Sequence, residues 1–284
     1  MNPQTITLGH SPDPDDAFMF YALAKGKIPT HGFHFEHILQ DIQTLNERVQ
    51  RSELDVSAIS FHAYPYVATN YALLPCGASM GDGYGPLLIS LNPRPLTDLP
   101  NLRIAIPGKL TSAFLALRLF LKYAGIRVAD SAFHVVPFDS IFNTIHHREA
   151  DIGLLIHEGQ LTYANEGFRS ILDLGAWWKE KTGLPLPLGG NVIRKSLGME
   201  NMKTISGVLS ESIRYGLGHM DEALPHLQAY ARGLDDTLTR RFVKMYVNHY
   251  TVDCGETGRQ AIAEFLKQGA AFGLVPSIPS LEFA

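Results

Sequence analysis

His157 closes the apolar run Ile152-Gly153-Leu154-Leu155-Ile156 and is followed at once by Glu158. A neutral imidazole, with a pKa near ~6.5, is suited to taking a proton close to neutral pH. An apolar strand would deliver this one to its carboxyl end, which is where open α/β sheets hold their ligands. Three further strand-like runs end in turns rich in Ser, Asp and Gly. They are Ile6-Thr7-Leu8-Gly9-His10 running into Ser11-Pro12-Asp13-Pro14-Asp15-Asp16, Val56-Ser57-Ala58-Ile59-Ser60, and Ile104-Ala105-Ile106 running into Pro107-Gly108-Lys109-Leu110-Thr111-Ser112. Each turn opens a helix, and helix N-termini present unpaired N–H groups and a positive dipole end. One small anionic ligand would meet all four segments.

Each residue has a plainer reading beside the chemical one. An aspartate of the first turn can cap a helix opening at Ala17. That accounts for one carboxylate and not for three that repel one another, so Asp16 is expected to face a polar ligand or a hinge. Thr111 or Ser112 can cap the next helix, or their hydroxyls and the free N–H groups beside them can hold a substrate carboxylate; the local sequence supports both. His157 is either a satisfied structural histidine or a base. His62 lies close enough to Ser60 to reach a cleft, whereas His146 and His147 read as surface or capping residues. Trp177 and Trp178 line the cleft or pack in the core. No Gly-x-x-x-x-Gly-Lys-Ser/Thr loop, Gly-x-Gly-x-x-Gly turn, Gly-x-Ser-x-Gly elbow or metal-type spacing occurs. Neither cofactor nor metal nor acyl-enzyme is therefore expected.

The elements that must position these groups alternate. A strand to Gly9, a helix over 17–24, a strand over 33–39, a helix over 41–51 and a strand over 54–60 make a βαβαβ unit with a parallel sheet. A Gly-rich loop (77–85) and a short strand (87–91) lead to Asn92-Pro93-Arg94-Pro95, read as an interdomain crossing. A second α/β unit follows, with strands over 103–107, 133–136 and 151–156 and helices over 113–123 and 140–147. Leu184-Pro185-Leu186-Pro187-Leu188-Gly189-Gly190 reads as the return crossing. The helical patterns beyond it, over 205–220, 221–231, 235–248 and 256–268, have no sheet of their own and are expected to cover the first lobe. This predicts an α/β, two-lobed, type II periplasmic-binding-protein-like fold with the ligand cleft between lobes: 1–92 with 190–284 as lobe one, and 93–189 as lobe two.

With 284 residues the chain can bury a substantial core, and 45% hydrophobic with 18% charged residues is ordinary for a folded domain. A formal net charge of −4 without charged blocks argues against nucleic acid and membrane surfaces as partners. Cys76 and Cys254 are expected to be free buried thiols. Met1-Asn2-Pro3-Gln4 leads straight into a strand with no basic or apolar leader, and no run approaches the roughly twenty apolar residues of a membrane helix. A soluble cytoplasmic protein, monomer or homodimer, is expected.

Taken in order, these segments resemble the 1,4-dihydroxy-6-naphthoate synthases of the futalosine route to menaquinone. The resemblance rests on Ser11-Pro12-x-Pro14-x-Asp16-x-Phe18-x-Phe20-Tyr21-Ala22-Leu23, Asp41-Ile42-x-Thr44-Leu45-Asn46, Gly83-Tyr84-Gly85-Pro86, Ile156-His157-Glu158, Asp173-Leu174-Gly175-Ala176-Trp177-Trp178 and Thr182 through Gly189. It implies a cofactor-independent carbon–carbon lyase that acts on cyclic dehypoxanthine futalosine, a small carboxylate. It also implies His157 as general base, ligand contacts at Ala58-Ile59-Ser60 and Ser112-Ala113, and polar residues Asp16 and Asn46 near the cleft. Some members carry Cys and Asn where this chain has Asp13 and Asp15, and Lys at Ala58, which would shift carboxylate binding onto Lys109, Ser112 and backbone N–H groups. A carboxylate-binding protein on the same scaffold and a chorismate dehydratase of the same pathway are the rival readings; the Leu-Pro-Leu-Pro-Leu-Gly and Trp-Trp segments favour the synthase.

Overall fold

The structure, a computed structural model, describes residues 3–277 and 280–284. Met1 and Asn2, where the expected first lobe begins, lie outside them, as do residues 278–279 of its helical tail. In chain order the strands are β1 (Gln4–His10), β2 (Phe33–Leu39), β3 (Val56–Ser60), β4 (Tyr71–Leu73), β5 (Ser79–Gly81), β6 (Leu87–Ser90), β7 (Ile104–Ile106), β8 (Phe133–Val135), β9 (Ile152–Leu155), β10 (Arg169–Asp173) and β11 (Leu186–Arg194). One sheet has the order β2-β1-β3-β11-β4, with β5 also on β11; the other has the order β10-β6-β9-β7-β8. β1 lies parallel to both β2 and β3, whereas β11 returns antiparallel to β3. β3 and β9 are buried along their whole length, as central strands covered on both faces should be.

Both crossings lie earlier in the chain than the proline-rich stretches suggest. β6, expected in lobe one, pairs with β9 and β10, and so belongs to the second sheet. The stretch read as the return crossing, Leu184 to Gly190, is instead mostly strand: β11 begins at Leu186 and already pairs there with β5. Asn92 to Pro95 instead leads into a surface 3-10 turn, Leu96–Asn101. Pro187 is accommodated in β11 because the β5 register shifts beside it. The chain thus passes between sheets at residues 82–86 and 183–185, and the first pass lies tight against Gly175 in the helix Leu174–Thr182 that leads to the second. A Cβ on Gly175 would sit 1.9 Å from the Tyr84 carbonyl, and one on Gly85 would sit 2.8 Å from the Gly175 nitrogen. Only glycine permits that approach.

Three C-terminal helices, Met199–Gly218, Met220–Leu227 and Asp236–Tyr246, pack on lobe one over the short helices Pro14–Met19 and Tyr21–Ala24. The last, Gly255–Ala271, departs from the expected cover by bridging both lobes. Its Phe265 meets fully buried Trp178 edge-on at 5.4 Å, and Phe272 just beyond it meets Tyr123. Trp177 packs on Phe120, so both indoles are core residues. Cys76 and Cys254 are buried and unpaired. Among the described residues, no helix is long and apolar enough to cross a membrane.

Candidate active site

A cavity of about 760 Å³, counting its open mouth, lies between the lobes beyond the carboxyl ends of β1, β3, β7 and β9. Ala58, Ile59 and Ser60 line it from lobe one, Thr111, Ser112 and Ala113 from lobe two, and Asp16 and His157 from the turns after β1 and β9. Asn46 does not line it. It is fully buried behind Ser60, donating from Nδ2 to the Ser60 hydroxyl (3.0 Å) and accepting from the Ser60 N–H (2.8 Å), so it positions that residue. His62 is also withdrawn: burial lowers its pKa to about 4, and Nδ1 lies 3.1 Å from the Thr111 carbonyl. Lys109 is exposed and does not line the cavity.

The Ser112–Tyr123 helix is capped by Thr111, whose hydroxyl accepts from the Phe114 N–H (3.2 Å) and donates to the Gly108 carbonyl (2.9 Å). With that hydroxyl occupied, Thr111 offers position and not a free donor. The Ser112 and Ala113 N–H groups remain without backbone acceptors at the first turn of a twelve-residue helix. They can hold an anion by N–H donation and the helix dipole. The lobes meet here in polar contacts, among them Gln43 Oε1 accepting from the Leu110 N–H (3.0 Å) and the His62 N–H donating to the Ser112 hydroxyl (3.3 Å).

The aspartate turn is organised differently from a helix cap at Ala17. Pro14 takes the first helical position, where its fixed φ and missing N–H cost nothing, and so the helix begins three residues early. Asp13 stands at the N-cap but its side chain does not cap. It is 1% exposed, accepts from the Ser11 hydroxyl, and places Oδ2 3.3 Å from His157 Nδ1. Its Oδ1 takes Arg232 Nη1 at 2.5 Å, and the same Nη1 reaches Glu158 Oε1 at 2.9 Å. Phe138 packs between them, 4.7 Å from the His157 ring and 4.6 Å from the guanidinium. His157 and Arg232 both adopt the left-handed backbone, at φ 55° and 46°. Such non-glycine conformations cost of order ~1 kcal/mol and persist where the surroundings hold them. An imidazole with Nδ1 directed at a buried carboxylate has Nε2 free to accept a proton.

Asp16 accepts from the Ser11 N–H at 2.6 Å. Burial pushes its carboxyl up to about 7; the Ser11 hydrogen bond opposes this and the Asp13 charge adds to it. The folded state therefore holds this proton through a window, from about 4 to about 7, in which the unfolded chain has lost it. Asp16's contribution to stability is fully present below that window and is lost as pH rises through it. Replacing Asp16 with Asn should leave Tm near the parent's at about pH 4 and raise it by several degrees relative to the parent at about pH 8. Comparing the two melting profiles removes the opposite trend of His10 and His62, whose pKa values burial lowers to about 3 and about 4.

Several residues in and behind the cavity wall carried no individual signal in the sequence. Asp13 and Asp15 were visible only as repelling charges. Arg232 and Tyr246 come from the helical tail, and Ser79, Gly189 and Asn191 from strands β5 and β11 whose pairing depends on the fold.

The family profile described as "Menaquinone biosynthesis" matches residues 6–271. A protein of Thermus thermophilus named 1,4-dihydroxy-6-naphtoate synthase is 36% identical over 276 residues, covering 97% of this chain and 98% of that protein. One of the same name from Streptomyces coelicolor is 34% identical over 280 residues, covering 98% and 97%. Among solved structures, a protein of Archaeoglobus fulgidus is 41% identical, with a TM-score of 0.88 over 95% of this chain and 98% of its own. A Candida albicans gene product, described as having the generic periplasmic binding protein fold, aligns with a TM-score of 0.71 over 96% of this chain and 92% of its own, at 14% identity. That last likeness concerns fold alone.

Proposed function

The chain belongs to the menaquinone-biosynthesis family, and from that premise we propose that it is a lyase converting cyclic dehypoxanthine futalosine to 1,4-dihydroxy-6-naphthoate, with His157 as general base. The observation that carries the reading is that His157, backed by buried Asp13, lines a cavity also lined by Ser112 and Ala113 with their free N–H groups. The substrate carboxylate docks on those N–H groups beside Ser60. His157 Nε2 takes the proton that starts the breakdown of the sugar-derived ring, and Asp13 stabilises the imidazolium that forms. Arg232 holds the Asp13 carboxylate in place from its other oxygen. Burial between the lobes excludes water and strengthens each of these polar contacts. We place the reaction in the cytoplasm, where buried thiols such as Cys76 and Cys254 stay reduced.

The test is incubation of the purified protein with cyclic dehypoxanthine futalosine and, separately, with chorismate. Formation of the naphthoate from the first alone is expected. Turnover of chorismate alone would reassign the chain to the dehydratase, and turnover of neither would leave a carboxylate-binding protein. Filling the cavity should act on the same assay. A Cβ on Gly189 would meet only the Ile59 carbonyl, at 3.3 Å, and any larger side chain would enter the cavity. Gly189→Val is expected to weaken substrate binding by about 10–100-fold, the range corresponding to an overpacked site, with little change in Tm because valine suits a strand.

A further inference from the structure

Six buried side-chain oxygen or nitrogen atoms find no partner among the described residues, and three of them line this one cavity: Asp15 Oδ1, Ser79 Oγ and Asn191 Oδ1. Native interiors rarely tolerate such atoms without a reason. Strand register explains why they gather. Asn191 of β11 stands opposite Ala58 of β3, and Gly189 stands opposite both Ser60 and Ser79. Residues two apart on a strand share a face, so Asn191 and Ser79 look into the same space as Ala58 and Ser60. The Ser60 hydroxyl already accepts from Asn46, whereas Asn191, 2% exposed, has an amide oxygen with nothing to accept from. Asp15 enters from the turn after β1.

We infer that Asp15, Ser79 and Asn191 form a subsite for the hydroxyl groups of the ligand, distinct from the N–H groups that take its carboxylate. The chemistry of the three atoms selects hydroxyls. Two are carbonyl-type oxygens that want a donor, and the third is a hydroxyl that can both give and accept. A second carboxylate would be poorly received, since no Lys or Arg lines the cavity among the described residues. Burial, reinforced by the charges of Asp16 and Asp13, also pushes the Asp15 carboxyl well above the usual carboxylate range, which favours a neutral hydrogen-bonding group there. This deepens the synthase reading by naming which atoms recognise the oxygenated end of its substrate.

The experiment compares two ligands that share a carboxylate and a ring system: 1,4-dihydroxy-6-naphthoate, handled anaerobically, and 2-naphthoate, which lacks both hydroxyls. Calorimetric titration of the parent protein is expected to show about 100-fold tighter binding of the hydroxylated compound, because a site built to pair hydroxyls rejects an analogue without them. Ser79→Ala, Asn191→Leu and Asp15→Leu should each cut that preference about tenfold, leaving 2-naphthoate affinity unchanged, while Asp15→Asn should retain it. If Asn191→Leu fails to fold by circular dichroism, the Ser79 and Asp15 variants decide. Equal affinity for the two compounds in the parent, binding of neither, or a preference that survives in all folded variants overturns the inference. Failure of the synthase reading would look different: no conversion of cyclic dehypoxanthine futalosine, with the preference between the two naphthoates still measurable.

Discussion

His157→Asn is expected to lower turnover of cyclic dehypoxanthine futalosine by about 10²–10⁴-fold, the range for loss of a positioned general base, with KM changed little and the fold retained. The kinetic half follows from the site, which among the described residues holds no second imidazole: His62 is turned away from the cavity and His10 is buried against Ser11 and His37. The structural half follows from the backbone. At φ 55° a histidine is held in the left-handed region, and asparagine visits that region more readily than most residues. The side chain is 18% exposed, so its replacement opens no deep cavity. Steady-state kinetics with a melting curve on the same preparation tests both halves. Undiminished kcat in a folded variant would remove His157 from the chemistry.

Asp13→Asn is expected to lower kcat by about 10²-fold or more, by analogy with other carboxylate-oriented histidines, and to leave KM within a few-fold. Asp13 touches the base and not the cavity, so it is a positioning residue. An amide can present N–H to His157 Nδ1, which reverses the tautomer and places the proton on Nε2, where the base must be empty. A nitrogen-15 spectrum of His157 should therefore show the ring proton on Nδ1 in the parent and on Nε2 in the variant, a change that a merely structural role would not produce. Stability should also fall, by about 1–3 kcal/mol. That lies below the cost of breaking a wholly buried pair, because Arg232 is 29% exposed and keeps Glu158 as a partner. Unchanged kcat together with an unchanged histidine tautomer would show that Asp13 serves the fold alone.

Much of this architecture is written locally. Apolar runs of strand length and the caps Asp41 and Thr111 each act within a few residues, so the βαβ order and the placing of Ser60, Ser112 and His157 at or just beyond strand ends can be read directly, though the helix at Pro14 starts three residues before the expected Ala17. Proline signals, by contrast, mark irregular backbone without saying which sheet follows; β6 accordingly joins the second sheet, and β11 runs through the stretch read as a crossing.

Pairings between distant segments are another matter, because hydrophobic pattern and turn chemistry say what an element is and not what it meets. Nothing around residue 13 announces Arg232, 219 residues away, and nothing around residue 191 announces the face it shares with Ser79. Asp13 became the carboxylate behind the base, Asn46 the clamp behind Ser60, and Asn191 an unpaired wall of the cavity through long-range packing of sheets and tail. The amino-acid order thus specified the kinds of groups at the strand ends, through short-range backbone preference and burial. Their division into base, support and ligand contact arose from three-dimensional closure, where desolvation and opposite charge act between residues that the chain keeps far apart.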